Sequence, residues 1–317
     1  MESYIGIDYG GTKLLIGEVD GEGNLLSHMR FETGERNQRK IAEHLIRCLK
    51  TYKEQMPCQG QVRGAGIGII GISNHQTGIW HSFNHESGEE IPLAPMVSKI
   101  LDIPAAIDND VRSGATAELL WGCGKYSRNF IYLSVGTGLA AGMIIDGKIL
   151  RGANQNAGEI GHITVKGSAD RICECGRRGC AELTASGRGI SGNIRDCLGK
   201  YPTKLLFEGG EKAADAREVF RLAREGDPLC EKVADEAAQV LAEVIQNLVR
   251  VSDPDTVVLG GGIMQDEWFW KQTMGKLNPV TMRGVKNGVR ISGLKPEWTG
   301  VIGAAAVGKL YCENKQA

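Results

Sequence analysis

The sequence predicts an α/β protein built on a doubled plan. Three observations carry this. Apolar strand-like runs alternate with runs whose apolar residues recur at helical spacing. Residues 5–21, IGIDYGGTKLLIGEVDG, align without a gap on residues 131–147, IYLSVGTGLAAGMIIDG. The 44 glycines of the 317-residue chain cluster after apolar runs, where a backbone must turn tightly or approach a ligand.

Each aligned unit reads as a short strand, a Gly/Thr turn, a second strand and then Asp-Gly, at Asp20-Gly21 and Asp146-Gly147. Asp-Gly between strand-like runs is a hairpin signal. Residues 36–55 carry Ile41, Leu45, Leu49 and Tyr52 on one helical face. Residues 65–72, AGIGIIGI, and 105–107 read as buried parallel strands. Residues 111–122 read as a helix, with Asn109-Asp110 supplying good capping residues before it. Residues 228–251 form a long helical pattern with Pro228 in its first turn, stopped by Asp253-Pro254. A strand at 256–259 leads into Gly260-Gly261-Gly262, and residues 303–311 form a small-residue helix suited to close packing.

The length suits two domains. A net charge of −1 gives no footprint for nucleic acid or an anionic membrane. No apolar run approaches a membrane span, and the first residues lack the basic and apolar regions of a leader. Nine cysteines, an odd number and mostly scattered, suit a reducing compartment, so a cytoplasmic protein is expected.

Two glycine turns, Asp8-Tyr9-Gly10-Gly11-Thr12-Lys13 and Gly136-Thr137-Gly138, fall at matching places in the two halves. Facing each other across a cleft, their amides and Thr hydroxyls would clasp a phosphate chain. Asp8, at a strand end, would hold Mg²⁺ through water. There is no G-x-x-x-x-G-K-[ST] loop. The loose G-x-G-x-x-x-G at 136–142 runs into a strand-like stretch, whereas a dinucleotide turn opens a helix. Cys173, Cys175 and Cys180 lie within eight residues. Three thiolates favour Zn²⁺, which needs a fourth ligand from elsewhere in the chain.

Taken together, DYGGTK at 8–13, DNDVRSGATAE at 108–118, GTG at 136–138, GEIGH at 158–162, CECGRRGCAE at 173–182, LGGG at 259–262 and IGAAAVG at 302–308 resemble the ROK family of sugar kinases and sugar-responsive repressors. The resemblance runs nearly end to end. It implies a duplicated ribonuclease-H-like, actin-like ATPase fold with two lobes around a central cleft. One lobe is expected at 1–117 plus 300–317 and the other at 118–299, with the zinc loop in the second. It implies a homodimer and ATP-dependent transfer of the γ-phosphoryl group to a hexose hydroxyl, O6 being the expected acceptor and glucose the leading substrate. N-acetylmannosamine, N-acetylglucosamine, allose and fructose stay open as substrates.

The residue roles follow from the same resemblance. Asp110 is the expected general base. Asn109, Glu159, His162 and Glu182 are expected to hold the sugar. Asp8, Gly10, Gly11, Thr12, Lys13, Gly136, Thr137, Gly138, Gly261 and Gly262 are expected to hold the nucleotide. His162 joins Cys173, Cys175 and Cys180 as a structural zinc ligand, fixing the carboxylates on either side of the cluster. Asp108 is expected to be structural, since strand alternation turns it from Asn109. The family's Pro-Gly loop is replaced here by Ile70-Gly71-Ile72-Ser73-Asn74-His75, and Gln155 stands where glycine is frequent. Ser73, Asn74 and His75 read equally as specificity residues or as ordinary loop residues. Two other functions share the resemblance: a sugar-sensing repressor, against which the early first glycine turn counts, and a sugar-binding regulatory protein without catalysis.

Overall fold

Runs rich in Ile, Val and Leu assemble two five-stranded sheets in the computed structural model, which describes residues 1–11, 13–34, 37–82, 88–206 and 214–316. In chain order the first elements are β1 (Glu2–Tyr9), β2 (Lys13–Asp20), β3 (Leu25–Glu32), α1 (Gln38–Gln55), β4 (Gln61–Ile69), β5 (Ile72–Asn74), β6 (Ile79–Ser82), α2 (Leu93–Leu101), β7 (Ala105–Asn109) and α3 (Asp110–Trp121). Then come β8 (Phe130–Val135), β9 (Leu139–Ile145), β10 (Lys148–Ile149), α4 (Glu182–Ala185), α5 (Gly187–Cys197), α6 (Ala216–Arg224) and α7 (Pro228–Ser252). The chain finishes with β11 (Thr256–Gly260), α8 (Glu267–Gly275), α9 (Pro279–Met282), β12 (Val289–Ile291) and α10 (Thr299–Gln316).

The sheets run β3-β2-β1-β4-β7 and β10-β9-β8-β11-β12, the same plan twice. In the first, β1 to β3 form an antiparallel meander, and β4 and β7 add in parallel. In the second, β10 pairs antiparallel with β9, while β11 pairs in parallel with both β8 and β12. The two aligned sequence units thus occupy matching places, β1–β2 and β8–β9.

The chain divides into two compact units. The first comprises Met1–Arg128, Gly142–Ala157 and Gly293–Ala317. One face of its sheet, with Ile5, Ile7, Ile67 and Ile107, packs against Leu45 and Leu49 of α1 and Val97 of α2. On the other face α10 lies against β1, β4 and α3. That approach is close: a Cβ on Gly6 or Gly66 would collide with the α10 carbonyls of Val301 or Ala304. The expected small-residue helix is therefore real, and longer at both ends than the sequence pattern. The expected lobe boundaries differ from these units. Residues 118–128, 142–157 and 293–299, expected in the second lobe, cluster with the first unit. One cause is local, for Gly142 of β9 packs on Ala115 of α3 too tightly to admit a Cβ.

The second unit comprises Asn129–Ala141 and Gly158–Ser292. Its longest helix, α7, starts as the sequence suggests. Asp227 accepts from the Cys230 amide at 3.0 Å, and Pro228 occupies the first turn. Such a cap contributes about 1 kcal/mol. Asp253 ends the helix in a left-handed conformation, φ 43°. The apolar stripe of α7, including Leu229, Val233, Leu241, Val244 and Leu248, is buried. No helix among the described residues is long and apolar enough to cross a membrane.

Candidate active site

In the first unit the site residues sit at the carboxyl ends of parallel strands. The register aligns Asp8 of β1 with Gly68 of β4, and Gly68 with Asp108 of β7. Strand alternation sends this row to the face covered by α3 and α10. Asp8 lies against Gly300, in the first turn of α10, where no Cβ would fit. Burial first, and then the nearby Asp110 carboxylate, push Asp8 up to about 7, with Lys13 opposing. A buried carboxylate beside a second one makes a ready seat for a dication.

Asp110 opens α3 directly after β7, and its Oδ1 accepts from the Val111 amide at 3.0 Å. Asn109 is the N-cap, its Oδ1 accepting from Val111 and Arg112 amides at 3.0 and 3.3 Å. That leaves Nδ2, which lies 3.5 Å from the Gly71 carbonyl. Asp108 is structural, as alternation predicts. Fully buried, it receives Arg112 Nε at 2.6 Å on Oδ1 and Arg151 Nε and Nη2 at 3.0 and 2.8 Å on Oδ2. In the first glycine turn the Gly10 amide donates to Lys13 O at 3.0 Å, and a side chain at Gly11 would meet nothing. Lys13 Nζ donates to the Glu297 carbonyl at 3.2 Å. Thr12 lies outside the described residues.

In the second unit, Gly136-Thr137-Gly138 is docked on the start of α5. The Gly187 amide donates to Gly136 O at 2.8 Å, and the Arg188 amide to Thr137 O at 3.2 Å. Gly261, at φ 90°, presses on Val135 at the end of β8, so close that only glycine fits. The two glycine segments thereby meet beside a cleft of about 1110 Å³. Gly136, Thr137, Gly262, Arg188, Arg195 and Asp266 are among its lining residues. That volume accommodates a nucleotide-sized ligand.

The cysteine cluster is also in this unit. Ligand atoms of His162, Cys173, Cys175 and Cys180 all lie within 4.8 Å of one another. His162 Nδ1 is 3.4 Å from Cys173 Sγ, and the sulfurs of Cys175 and Cys180 are 3.6 Å apart. Zinc–sulfur bonds of about 2.3 Å in a tetrahedron give sulfur–sulfur edges of nearly that length. Burial and then the neighbouring thiols push Cys180 up to about 12, while the Arg177 amide leads the causes that lower Cys175. The Cys180 thiol, raised in this way, holds its proton until a cation displaces it. The donor set fits a four-coordinate structural metal.

Glu182 follows Cys180 by two residues and opens α4. Its Oε2 accepts from the Leu139 amide at 2.9 Å, and its Oε1 receives Arg188 Nη2 at 3.0 Å. It therefore braces the glycine turn as well as offering a carboxylate. Glu159 precedes the short 3-10 turn Ile160–His162, and its carboxylate makes no hydrogen bond among the described residues. The sequence pattern brings Glu159, His162, Glu182 and the cysteines to one region of the second unit, and Asp8, Asn109 and Asp110 to one region of the first.

Against known proteins, the ROK family model matches residues 4–309. The chain belongs to the ROK family. Among its relatives is a glucokinase of Halalkalibacterium halodurans, 30% identical over 268 residues, which are 82% of this chain and 80% of that protein. A xylose repressor of Caldicellulosiruptor bescii is 31% identical over 283 residues, 88% of this chain and 69% of the repressor. Among solved structures, a ROK glucokinase from Streptomyces griseus in complex with glucose and AMPPNP superposes with a TM-score of 0.77. It is 25% identical, and the match covers 97% of this chain and 99% of that one.

Three arginines of this ROK protein carry parts of the site that sequence reasoning missed. Arg112 and Arg151 neutralise Asp108, and Arg188 holds Glu182. Arg112 stands four residues after Asp108, across the junction of β7 and α3, so the helical i,i+4 rule does not flag the pair. Arg151 lies 43 residues from Asp108, and nothing local in the sequence links them.

Proposed function

We propose that the protein is an ATP-dependent sugar kinase that transfers the γ-phosphoryl group of ATP to a hexose hydroxyl, with glucose the leading acceptor and O6 the leading position. The observation that carries this is the Asp8–Asp110 pair at the carboxyl ends of β1 and β7. Membership of a family with glucokinase relatives supports it. The matching order of the two sheets supports reading them as the two ribonuclease-H-like halves of an actin-like ATPase fold.

In this reading Asp110 accepts the proton of the sugar hydroxyl as that oxygen attacks the γ-phosphorus, and ADP leaves. Phosphoryl transfer asks a protein for positioning and charge stabilisation rather than covalent chemistry. Asn109 Nδ2, Glu159 and Glu182 orient the ring hydroxyls, each carboxylate accepting two hydrogen bonds. His162 closes the same wall. Gly10, Gly11 and the Gly136–Gly138 turn hold the phosphates, and Gly261 and Gly262 border the space for the nucleoside. Asp8 would hold Mg²⁺, which would supply neutralisation of the phosphate charge. His162, Cys173, Cys175 and Cys180 hold Zn²⁺, which stiffens the loop carrying Glu182.

The test is sugar-dependent ADP release with MgATP across hexoses and N-acetylhexosamines. Turnover on one sugar names the acceptor. Sugar binding by calorimetry without turnover on any of them overturns the kinase reading in favour of a sugar-binding regulatory protein.

A further inference from the structure

A circuit of hydrogen bonds and two short stretches of chain runs behind Asp110, all of it within the first unit. Asp108 Oδ1 accepts from the Asn109 amide at 2.8 Å. Asp108 Oδ2 is gripped by Arg151, with contacts of 3.0 and 2.8 Å. Four residues beyond Arg151, Gln155 Oε1 accepts from His75 Nδ1 at 3.2 Å. His75 directly follows β5, and Gly71 directly precedes it. The Gly71 carbonyl returns the circuit to Asn109 Nδ2 at 3.5 Å. The path therefore leaves Asn109 through its amide and comes back through its side chain.

Gln155 is the unexpected member. Its φ is 58°, a left-handed conformation disfavoured for a residue with a Cβ. Its neighbours in the same segment, Gly152 at 74° and Gly158 at 103°, solve the same problem with glycine. Backbone energetics alone would favour glycine at 155 as well. What glycine would lose is the side chain that reaches His75. Burial, and then the Arg151 guanidinium, hold His75 below the ordinary imidazole range. The amide oxygen of Gln155 only accepts, so this contact uses the His75 tautomer that carries its proton on Nδ1. Arg112 Nη1 adds a second tie to the segment, at 3.4 Å from the Ala157 carbonyl.

We infer that Gln155 and His75 are positioning residues for Asn109 and Asp110, acting through Arg151–Asp108 on one side and Gly71 on the other. The role of the positioned pair as sugar ligand and base rests on the kinase reading above. His75, directly after β5, then has a function that neither ordinary loop polarity nor direct sugar contact requires. A base segment fixed from two sides keeps the carboxylate within the small tolerance that proton transfer demands.

The test compares the parent with Gln155→Gly, His75→Ala and the double variant. Amide hydrogen exchange at Asn109, read by NMR, reports positioning without reference to turnover. Steady-state kinetics separate kcat from KM. Gln155→Gly should melt no lower than the parent, since glycine suits the left-handed backbone. Its Asn109 amide should exchange faster, and kcat should fall about tenfold with KM for MgATP unchanged. The double variant should be no worse than the poorer single one, because both break the same bond. Unchanged exchange at Asn109, unchanged kcat in a parent that turns over, or additive losses in the double variant each overturn the inference. A parent without turnover on any sugar defeats the kinase reading alone, and exchange at Asn109 still decides the positioning.

Discussion

Asp8 illustrates how a single carboxylate acquires a task from its surroundings. Burial and Asp110 raise it to about 7, so near neutral pH it shares its time between the acid and the carboxylate. Only the carboxylate holds a cation. Mg²⁺ affinity and turnover should therefore rise with pH through about 7. Raising Mg²⁺ should move that acid limb to lower pH, because cation binding expels the proton. A pH–rate profile at several Mg²⁺ concentrations reads both, and a limb indifferent to Mg²⁺ contradicts the assignment. Stability follows the same sign. Between the ordinary aspartate value of 3.8 and about 7 the folded state keeps a proton that the unfolded chain has released. Without Mg²⁺, Asp8 therefore withdraws stability as pH rises across that window.

At the scale of elements, the segment carrying Cys173, Cys175 and Cys180 is short and irregular. In the proposed reading a zinc ion held by these cysteines and His162 gives it order. Metal analysis of the purified protein should find about one zinc per chain. Cys175→Ser should lose it, and KM for the sugar should rise more than KM for MgATP, since Glu182 follows the cluster directly. A folded parent without zinc would contradict the site. The elements also show where the sequence was legible. The two Asp-Gly hairpins, α1, α7 and β11 were readable because their periodicities are local. β3 was not read, since its half-exposed residues mix polar and apolar types. The helices α5, α6 and α8 were passed over in glycine-rich or charged stretches whose burial only tertiary packing reveals.

Across the whole molecule, one plan appears twice, and in the proposed reading each copy carries part of the chemistry. The first sheet ends in Asp8 and Asn109-Asp110; the second ends in glycine turns beside a cleft. Every site residue named from the sequence came from a motif next to a strand end or the cysteine cluster. Of the residues that brace them, Arg151 and Gln155 reach across 43 and 80 positions of sequence to Asp108 and His75, whereas Arg188 stands six residues from Glu182. The division of the chain into units was the least legible feature, because contacts such as Gly142 on α3 depend on the absence of a side chain. The central claim is that Asp110 is the base of a sugar kinase, and Asp110→Asn tests it most directly. With the accepted sugar and MgATP, its kcat should fall by about 10²–10⁴-fold, while calorimetry shows the sugar still bound. Turnover near that of the parent would contradict the account.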